Sequence, residues 1–289
     1  MPELPEVEVV KRSLNNKIQN LIIKEIKIND GSLRYPIVKN ELRKVVGLKL
    51  KKITRRSKYL LFFFNKDFLM LIHLGMTGKL FFVNKKSKKF KTSFYYNINN
   101  EKDQKHDRVI FYLSKNQKLI YNDVRKFGFI KFYNLKDLND IQHLKNLGPE
   151  PLEHDFNYTY FKKYIIGRKR VIKEILMSQN FVSGIGNIYA NEILFLCKVK
   201  PTRNVNKLKN FEIRKIIKLT KNVLNSSIKL GGSTIKNFSS SNGKKGSFQQ
   251  HFNVYGKKNE VCSNRNCVSK VVRSIVSKRS TFHCPKCQK

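Results

Sequence analysis

Acidic residues are scarce in this chain of 289 residues: 20 Asp and Glu stand against 60 Lys and Arg, a formal net charge of +40. A polyanion is the natural partner of such a chain, and the field attracts phosphates with a steep dependence on salt. Compositional drift toward Lys, Asn and Ile, visible in NKKSKKFK (84–91) and NINN (97–100), is a second source of the same excess. An uninterrupted apolar run of the roughly 20 residues that cross a membrane is missing. The longest candidate, YLLFFFNKDFLMLIHLGM, is cut by Asn65, Lys66 and Asp67 and reads as strand, tight turn and strand, so a soluble protein is expected. MPELPEVEVV lacks the basic flank and apolar core of a secretory signal and the arginines of a transit peptide. Cysteine is rare, and four of the five crowd into the last 28 residues, which speaks against a disulfide scaffold and for a metal site in a reducing compartment.

What is present suffices for one large or two modest domains, since 40% of the residues are hydrophobic. Val7, Val10, Leu14 and Ile18 share one face at helical spacing, with Pro5 and Glu6 suited to a first turn. From about 21 to 134, short runs of Ile, Val, Phe and Tyr alternate with Asn, Gly, Lys and Asp clusters, the pattern of antiparallel strands. Gly148, Pro149 and Pro151 break both periodicities, and a domain boundary is placed near 150. Helices are expected around 168–177, 187–197 and 210–230, the last closed by Gly231 and Gly232. Residues 232–250 read as a mobile loop or solvated linker, and a cysteine-bearing hairpin ends the chain. The fold class is therefore α+β and multidomain: an N-terminal β domain (1–134), a linker (135–150), a helical domain (151–232) and a terminal unit (233–289).

Four residues separate Cys262 from Cys267 and two separate Cys284 from Cys287, with sixteen between the pairs. Two close thiolate pairs make a tetrahedral site with no open position, hence one structural Zn2+. His283 adjoins a ligand without being needed as one, and Cys197 in ILFLC reads as core. Between the pairs, β-branched residues alternate with basic ones, as in a hairpin with one positive face that sets an Arg against phosphates.

The N-terminus carries the most chemistry. Proline after the initiator permits removal of Met1, leaving Pro2 with a free secondary amine. An α-amino group titrates far below a lysine, so roughly 300-fold more of it is neutral at pH 7. Its attack on a sugar C1′ gives an iminium that acidifies the C2′ hydrogens and opens a route to strand cleavage by elimination. Glu3 and Glu6 beside it offer a proton donor and a positioning hydrogen bond; as first-turn charges they equally favour a helix N-terminus.

MPELPEVE, with RRSKYLL (55–61), IHLGMTGKL (72–80), DVRKFG (123–128), LGPEPL (147–152), SGIGNIYANEILF (183–195), VYGKK (254–258) and TFHCPKCQK, resembles the formamidopyrimidine-DNA glycosylases over essentially the whole chain. The resemblance implies a β-sandwich, a helix-two-turn-helix domain and a zinc ribbon. It also implies a monomeric, cytoplasmic, nucleoid-associated enzyme of base excision repair acting on damaged double-stranded DNA. Carried over by position, Pro2 is the Schiff-base nucleophile, Glu3 the general acid, Glu6 its neighbour in the site, Lys58 an essential amine and Arg279 the ribbon arginine that grips phosphates. Met76, Arg125 and Phe127 match the residues that fill the gap left by an everted base, although isolated apolar residues are more often core. Asn187, at the start of a helix after a Gly-Ile-Gly turn, matches a phosphate contact and would serve equally as a cap. His106 and Tyr189 complete the implied DNA-contacting set.

The chain departs from the pattern in the four-residue spacing of the first cysteine pair, in a lysine-rich stretch (84–105) that looks like a disordered insertion, in Lys126 where a second Arg is common, and in VYGKKNEVC. Excision of oxidised purines, 8-oxoguanine and formamidopyrimidines, followed by β,δ-elimination is the leading expectation. The sister class that removes oxidised pyrimidines (endonuclease VIII-like) shares fold and nucleophile, but Leu4 and the Met-Arg-Phe set favour the purine enzyme. A catalytically silent zinc-ribbon DNA-binding protein is the third reading.

Overall fold

The computed structural model describes residues 1–84, 89–91, 101–233 and 247–289 and divides into two units, Met1–Lys145 with Leu230–Ser247, and Asn146–Lys229 with Phe248–Lys289. In the first unit, helix α1 (Leu4–Ile18) opens almost at the N-terminus, with a proline in its first turn. Strand β1 (Ile23–Ile28) and short helix α2 (Lys39–Arg43) precede β2 (Leu50–Arg56), β3 (Tyr59–Phe64), β4 (Phe68–His73), β5 (Lys79–Val83), β6 (Lys89–Lys91), β7 (Asp107–Leu113), β8 (Gln117–Asn122) and β9 (Phe129–Asn134), and α3 (Gln142–Lys145) closes the run. The strands form two antiparallel sheets, β1-β7-β8-β5-β6 and β2-β3-β4-β9. Residues alternate along each strand, so Ile23, Phe81, Val109 and Phe111 of one sheet and Ile53, Phe62, Met70 and Ile72 of the other share a core with Val7, Val10, Leu14 and Ile18 of α1.

The expected strand-turn-strand is β3 and β4, joined by Asn65, Lys66 and Asp67, of which Lys66 and Asp67 both take positive φ. Part of the lysine-rich 84–105 stretch is ordered, contrary to the disordered insertion expected there: β6 pairs with β5 and widens the sheet by a strand, and Glu101–His106 forms a 3-10 turn. The remainder of that stretch, and 234–246 of the loop expected at 232–250, lie outside the described residues.

The second unit holds α4 (Tyr158–Ile165), α5 (Ile172–Met177), α6 (Asn187–Cys197) and α7 (Asn210–Lys229), followed by the hairpin β10 (Val272–Val276) and β11 (Arg279–His283). The helix expected from 168 starts only at Ile172, because Val171 is extended and bridges to Asn204. Helix α6 is buried on nearly every side and forms the hub of the unit. No helix among the described residues is long and apolar enough to cross a membrane.

Candidate active site and nucleic-acid interface

Pro2, Glu3 and Glu6 are all buried at the start of α1. Glu3 stands at the N-cap, and its backbone N–H donates to Oε2 of Glu6 at 2.9 Å. The other carboxylate oxygen of Glu6, Oε1, accepts both the N–H and the hydroxyl of Ser233. The same oxygen would lie 3.1 Å from a Cβ placed on Gly232, whose φ of +82° favours glycine in any case. Burial lowers the pKa of the Met1 amine below 8.0; Glu3 and Glu6 oppose that shift, while the charges of Lys58 and Arg125 add to it.

Lys58 is buried in the two-residue turn between β2 and β3. Its predecessor Ser57 has a φ of +55°, an uncommon conformation for a residue with a side chain. Arg55 supports it: Nη1 donates to the Ser57 carbonyl at 2.9 Å while Nε pairs with Glu8 of α1 at 3.0 Å. Burial alone would raise the pKa of Glu8, but the Arg12 hydrogen bond and the charges of Arg55 and Lys11 hold it below the usual carboxylate range. One ion-pair chain therefore ties the helix that carries Pro2 to the turn that carries Lys58.

Met76 and Phe127 are not core residues: they are 36% and 46% exposed, on the loops that follow β4 and β8. The Arg125 guanidinium lies 4.5 Å from the centre of the Phe127 ring. A Cβ on Gly75 would stand 2.4 Å from backbone atoms of Phe127 and Gly128, so these loops touch main chain to main chain only because Gly75 lacks one. His73, behind Met76, accepts the Gly75 N–H on Nδ1 at 3.1 Å. Burial, then the charges of Lys58, Arg34 and His143, push its pKa down to about 4, which suits the neutral acceptor. His106 is partly buried with Nδ1 3.1 Å from Arg108 Nη2.

In the second unit, Gly186 is the N-cap of α6, so Asn187 does not cap the helix, as one reading of the sequence had it. Its Nδ2 instead donates to the Ser280 carbonyl at 2.9 Å, and its buried Oδ1 has no hydrogen-bond partner among the described residues. The fully buried Lys173 joins the same place, donating to the Ser280 carbonyl and the Thr281 hydroxyl. Arg279 is exposed beside them and, with Arg170, Lys173, Glu174 and Met177, lines a groove of about 230 Å³. Tyr189, expected at the DNA surface, is completely buried, its hydroxyl 2.6 Å from Ser227 Oγ. It belongs to the α6–α7 packing and has no face left for a nucleic acid.

The sulfurs of Cys262, Cys267, Cys284 and Cys287 all lie within 4.8 Å of one another, with 3.9 Å between Cys262 and Cys287 and 3.8 Å between Cys267 and Cys284. The edge of a tetrahedral zinc–thiolate site is roughly 3.8 Å, from a Zn–S bond near 2.3 Å, so these four residues could hold a metal ion.

Matches to known proteins follow the same division. Residues 1–130 match the formamidopyrimidine-DNA glycosylase N-terminal domain and residues 147–239 the formamidopyrimidine-DNA glycosylase H2TH domain. The chain is 38% identical to the formamidopyrimidine-DNA glycosylase of Rickettsia bellii and 32% to that of Roseobacter denitrificans, each over the full length of both chains.

The chain belongs to the formamidopyrimidine-DNA glycosylase family.

It is a DNA glycosylase of base excision repair. Among solved structures it resembles a Lactococcus lactis FPG mutant in complex with a Fapy-dG-containing DNA, with a TM-score of 0.85, 32% identity and full coverage of both chains. It also resembles the wild-type Lactococcus lactis FPG in complex with an oxidised-pyrimidine-containing DNA, with a TM-score of 0.84, 32% identity and full coverage of both chains.

The departures from the family pattern now have a geometry. The longer first knuckle still returns Cys267 to the cluster, because Asn266 adopts a φ of +60° and the Cys267 N–H closes a turn on the Asn264 carbonyl. Lys126, where the family commonly has Arg, also has a positive φ and pairs with Asp30 at 2.8 Å, and Asp30 pairs with Arg108 at 2.7 Å. Sequence reasoning missed Lys173, Asp30 and Asp123 as site supports. It also missed Glu192, whose buried carboxylate collects the backbone N–H groups of Asn253, Val254 and Tyr255. A charged residue amid an apolar run, as Lys173 and Glu192 are, was the available signal.

Proposed function

We propose that this glycosylase excises oxidised purines, 8-oxoguanine and formamidopyrimidines, from duplex DNA through a Schiff base on Pro2, and then cuts the strand by β,δ-elimination. The observation that carries the reading is the start of α1, where Pro2, Glu3 and Glu6 are buried together and Lys58 is buried in its own turn. Removal of Met1 exposes the Pro2 nitrogen. Its lone pair forms a bond to C1′ as the C1′–N bond to the damaged base breaks, and the base leaves with a proton. Glu3 gives its proton to O4′, the ring opens, and the cation becomes a C1′ iminium. Loss of a C2′ proton expels the 3′ phosphate, and a second elimination expels the 5′ phosphate. Hydrolysis of the remaining Schiff base frees Pro2.

Access to C1′ requires the damaged nucleotide to leave the stack. Met76 and Phe127 supply exposed apolar bulk for the space it vacates, and Arg125, held over Phe127, has donors for the orphaned base. Lys58, Asn187 and Arg279 are the phosphate contacts, and the DNA complexes formed by the Lactococcus lactis relatives support DNA as the partner. Zn2+ on Cys262, Cys267, Cys284 and Cys287 would brace the hairpin that carries Arg279 and supply no step of the reaction.

Incubation with an 8-oxoguanine:cytosine duplex tests the reading. Base release with a gap bearing phosphates at both ends is expected. An uncut duplex, or faster excision of thymine glycol, contradicts it.

A further inference from the structure

The two loops that expose Met76 and Phe127 are joined through one carboxylate. Asp123 is completely buried. Its Oδ1 accepts the Thr77 hydroxyl and, at 3.3 Å, the Arg125 N–H. Its Oδ2 accepts the Gly128 N–H at 2.9 Å and the Tyr121 hydroxyl at 3.4 Å. The Arg125 N–H also reaches Thr77 Oγ1 at 3.0 Å. Each wedge residue thus bonds to this carboxylate or adjoins a residue that does: Met76 precedes Thr77, Arg125 donates its own amide, and Phe127 precedes Gly128. From behind, Arg108 Nε donates to the Asp123 carbonyl at 2.8 Å.

A buried carboxylate is costly to desolvate, and a hydrophobic side chain would fill the same place after β8 at no such cost. What a carboxylate offers is several acceptor sites fixed relative to one another. Here they fix the two loops relative to one another, at the point where Gly75 meets the Phe127 and Gly128 backbone.

We propose that Asp123 is the positioning residue of the wedge: through Thr77 on one loop and the Arg125 and Gly128 amides on the other, it presents Met76, Arg125 and Phe127 to the duplex as one preset unit. The assignment rests on the proposal above that these three fill the vacated space. Asn at 123 keeps one acceptor oxygen but turns an amide donor toward the Gly128 N–H or toward the Arg125 N–H, so one of these two amides loses its acceptor.

The test compares wild type with D123N, T77V and T77S on two substrates. One is a duplex with 8-oxoguanine opposite cytosine. The other is a single-stranded oligonucleotide with a preformed abasic site, where no stacked base has to be displaced. Borohydride-trapped adduct is followed on both, and the fluorescence of a 2-aminopurine beside the lesion reports unstacking on the duplex. D123N and T77V are expected to lose about tenfold or more on the duplex, with slower unstacking, and to trap the single strand within about twofold of wild type. T77S, which keeps the hydroxyl, restores duplex activity. Loss of both activities in proportion, or of neither, overturns the assignment. Should D123N fail to melt cooperatively, T77V against T77S decides alone. Wild type that traps neither substrate overturns the excision reading itself, whereas wild-type excision left intact in the variants overturns only the role of Asp123.

Discussion

Glu6 and Ser233 are 227 residues apart in sequence, and one carboxylate oxygen of Glu6 takes two hydrogen bonds from Ser233, at 2.8 Å from its N–H and 2.9 Å from its hydroxyl. With its other oxygen on the Glu3 N–H, Glu6 fixes both the start of α1 and the chain after Gly232. Replacing Ser233 with Ala removes one of these bonds and is expected to cost about 1 kcal/mol. Glu6→Ala leaves two buried N–H groups unsatisfied and is expected to cost about 2–4 kcal/mol in all, which thermal denaturation at fixed pH resolves.

Arg55 gives a separate test of the site's geometry. Lysine at this position keeps the charge but cannot hold Glu8 and the Ser57 carbonyl at once. R55K is therefore expected to melt within a few degrees of wild type yet to form covalent adduct about tenfold more slowly, because the turn carrying Lys58 loses its support. An unchanged trapping rate removes Arg55 from the positioning of Lys58.

His73 makes stability depend on pH. Its folded pKa of about 4 lies below the ordinary 6.5, so the neutral ring contributes stability that is complete above about pH 6.5 and is lost as pH falls toward 4. Each factor of ten in proton affinity is worth about 1.4 kcal/mol, so at most ~3 kcal/mol is at stake. The melting temperature should fall across this window, and by less in H73N, whose side-chain carbonyl can still accept the Gly75 N–H without titrating. A parallel fall in both proteins assigns the pH dependence to other groups.

Chelation tests the cysteine cluster. The four cysteines pack with Phe195, Val254 and Val271 in a small core of their own. A core that small depends on its metal, since structural zinc contributes on the order of 10 kcal/mol to folding. One zinc per chain should be released by a strong chelator, with loss of duplex binding in a gel shift and recovery on adding zinc back. Full binding by the metal-free protein contradicts a structural role.

Much of this arrangement is legible in the sequence, and for definite reasons. The continuous apolar runs of β3 and β4 record burial on both faces of their sheet, the spacing of Val7, Val10, Leu14 and Ile18 records burial on one face of a helix, and cysteine spacing records a close cluster. Tyr189 could not be placed the same way, because α6 is buried all round and its sequence shows no wet face to mark inside from outside. Gly186, not Asn187, caps α6, a one-residue offset that motif spacing does not resolve. Asp123, Asp30 and Lys173 act through partners that only the tertiary fold brings near, such as Lys173 and Thr281, 108 residues apart. The widening of the sheet by β6 was hidden by lysines, which on an edge strand look like a solvated insertion.

Peptide mapping of the borohydride-trapped complex tests the nucleophile most directly. Digestion of the adduct formed on 8-oxoguanine duplex should yield a DNA-modified N-terminal peptide that begins at Pro2, with the reduced link on the proline nitrogen. A modified peptide that contains Lys58 instead, or an active protein that still carries Met1, contradicts the mechanism.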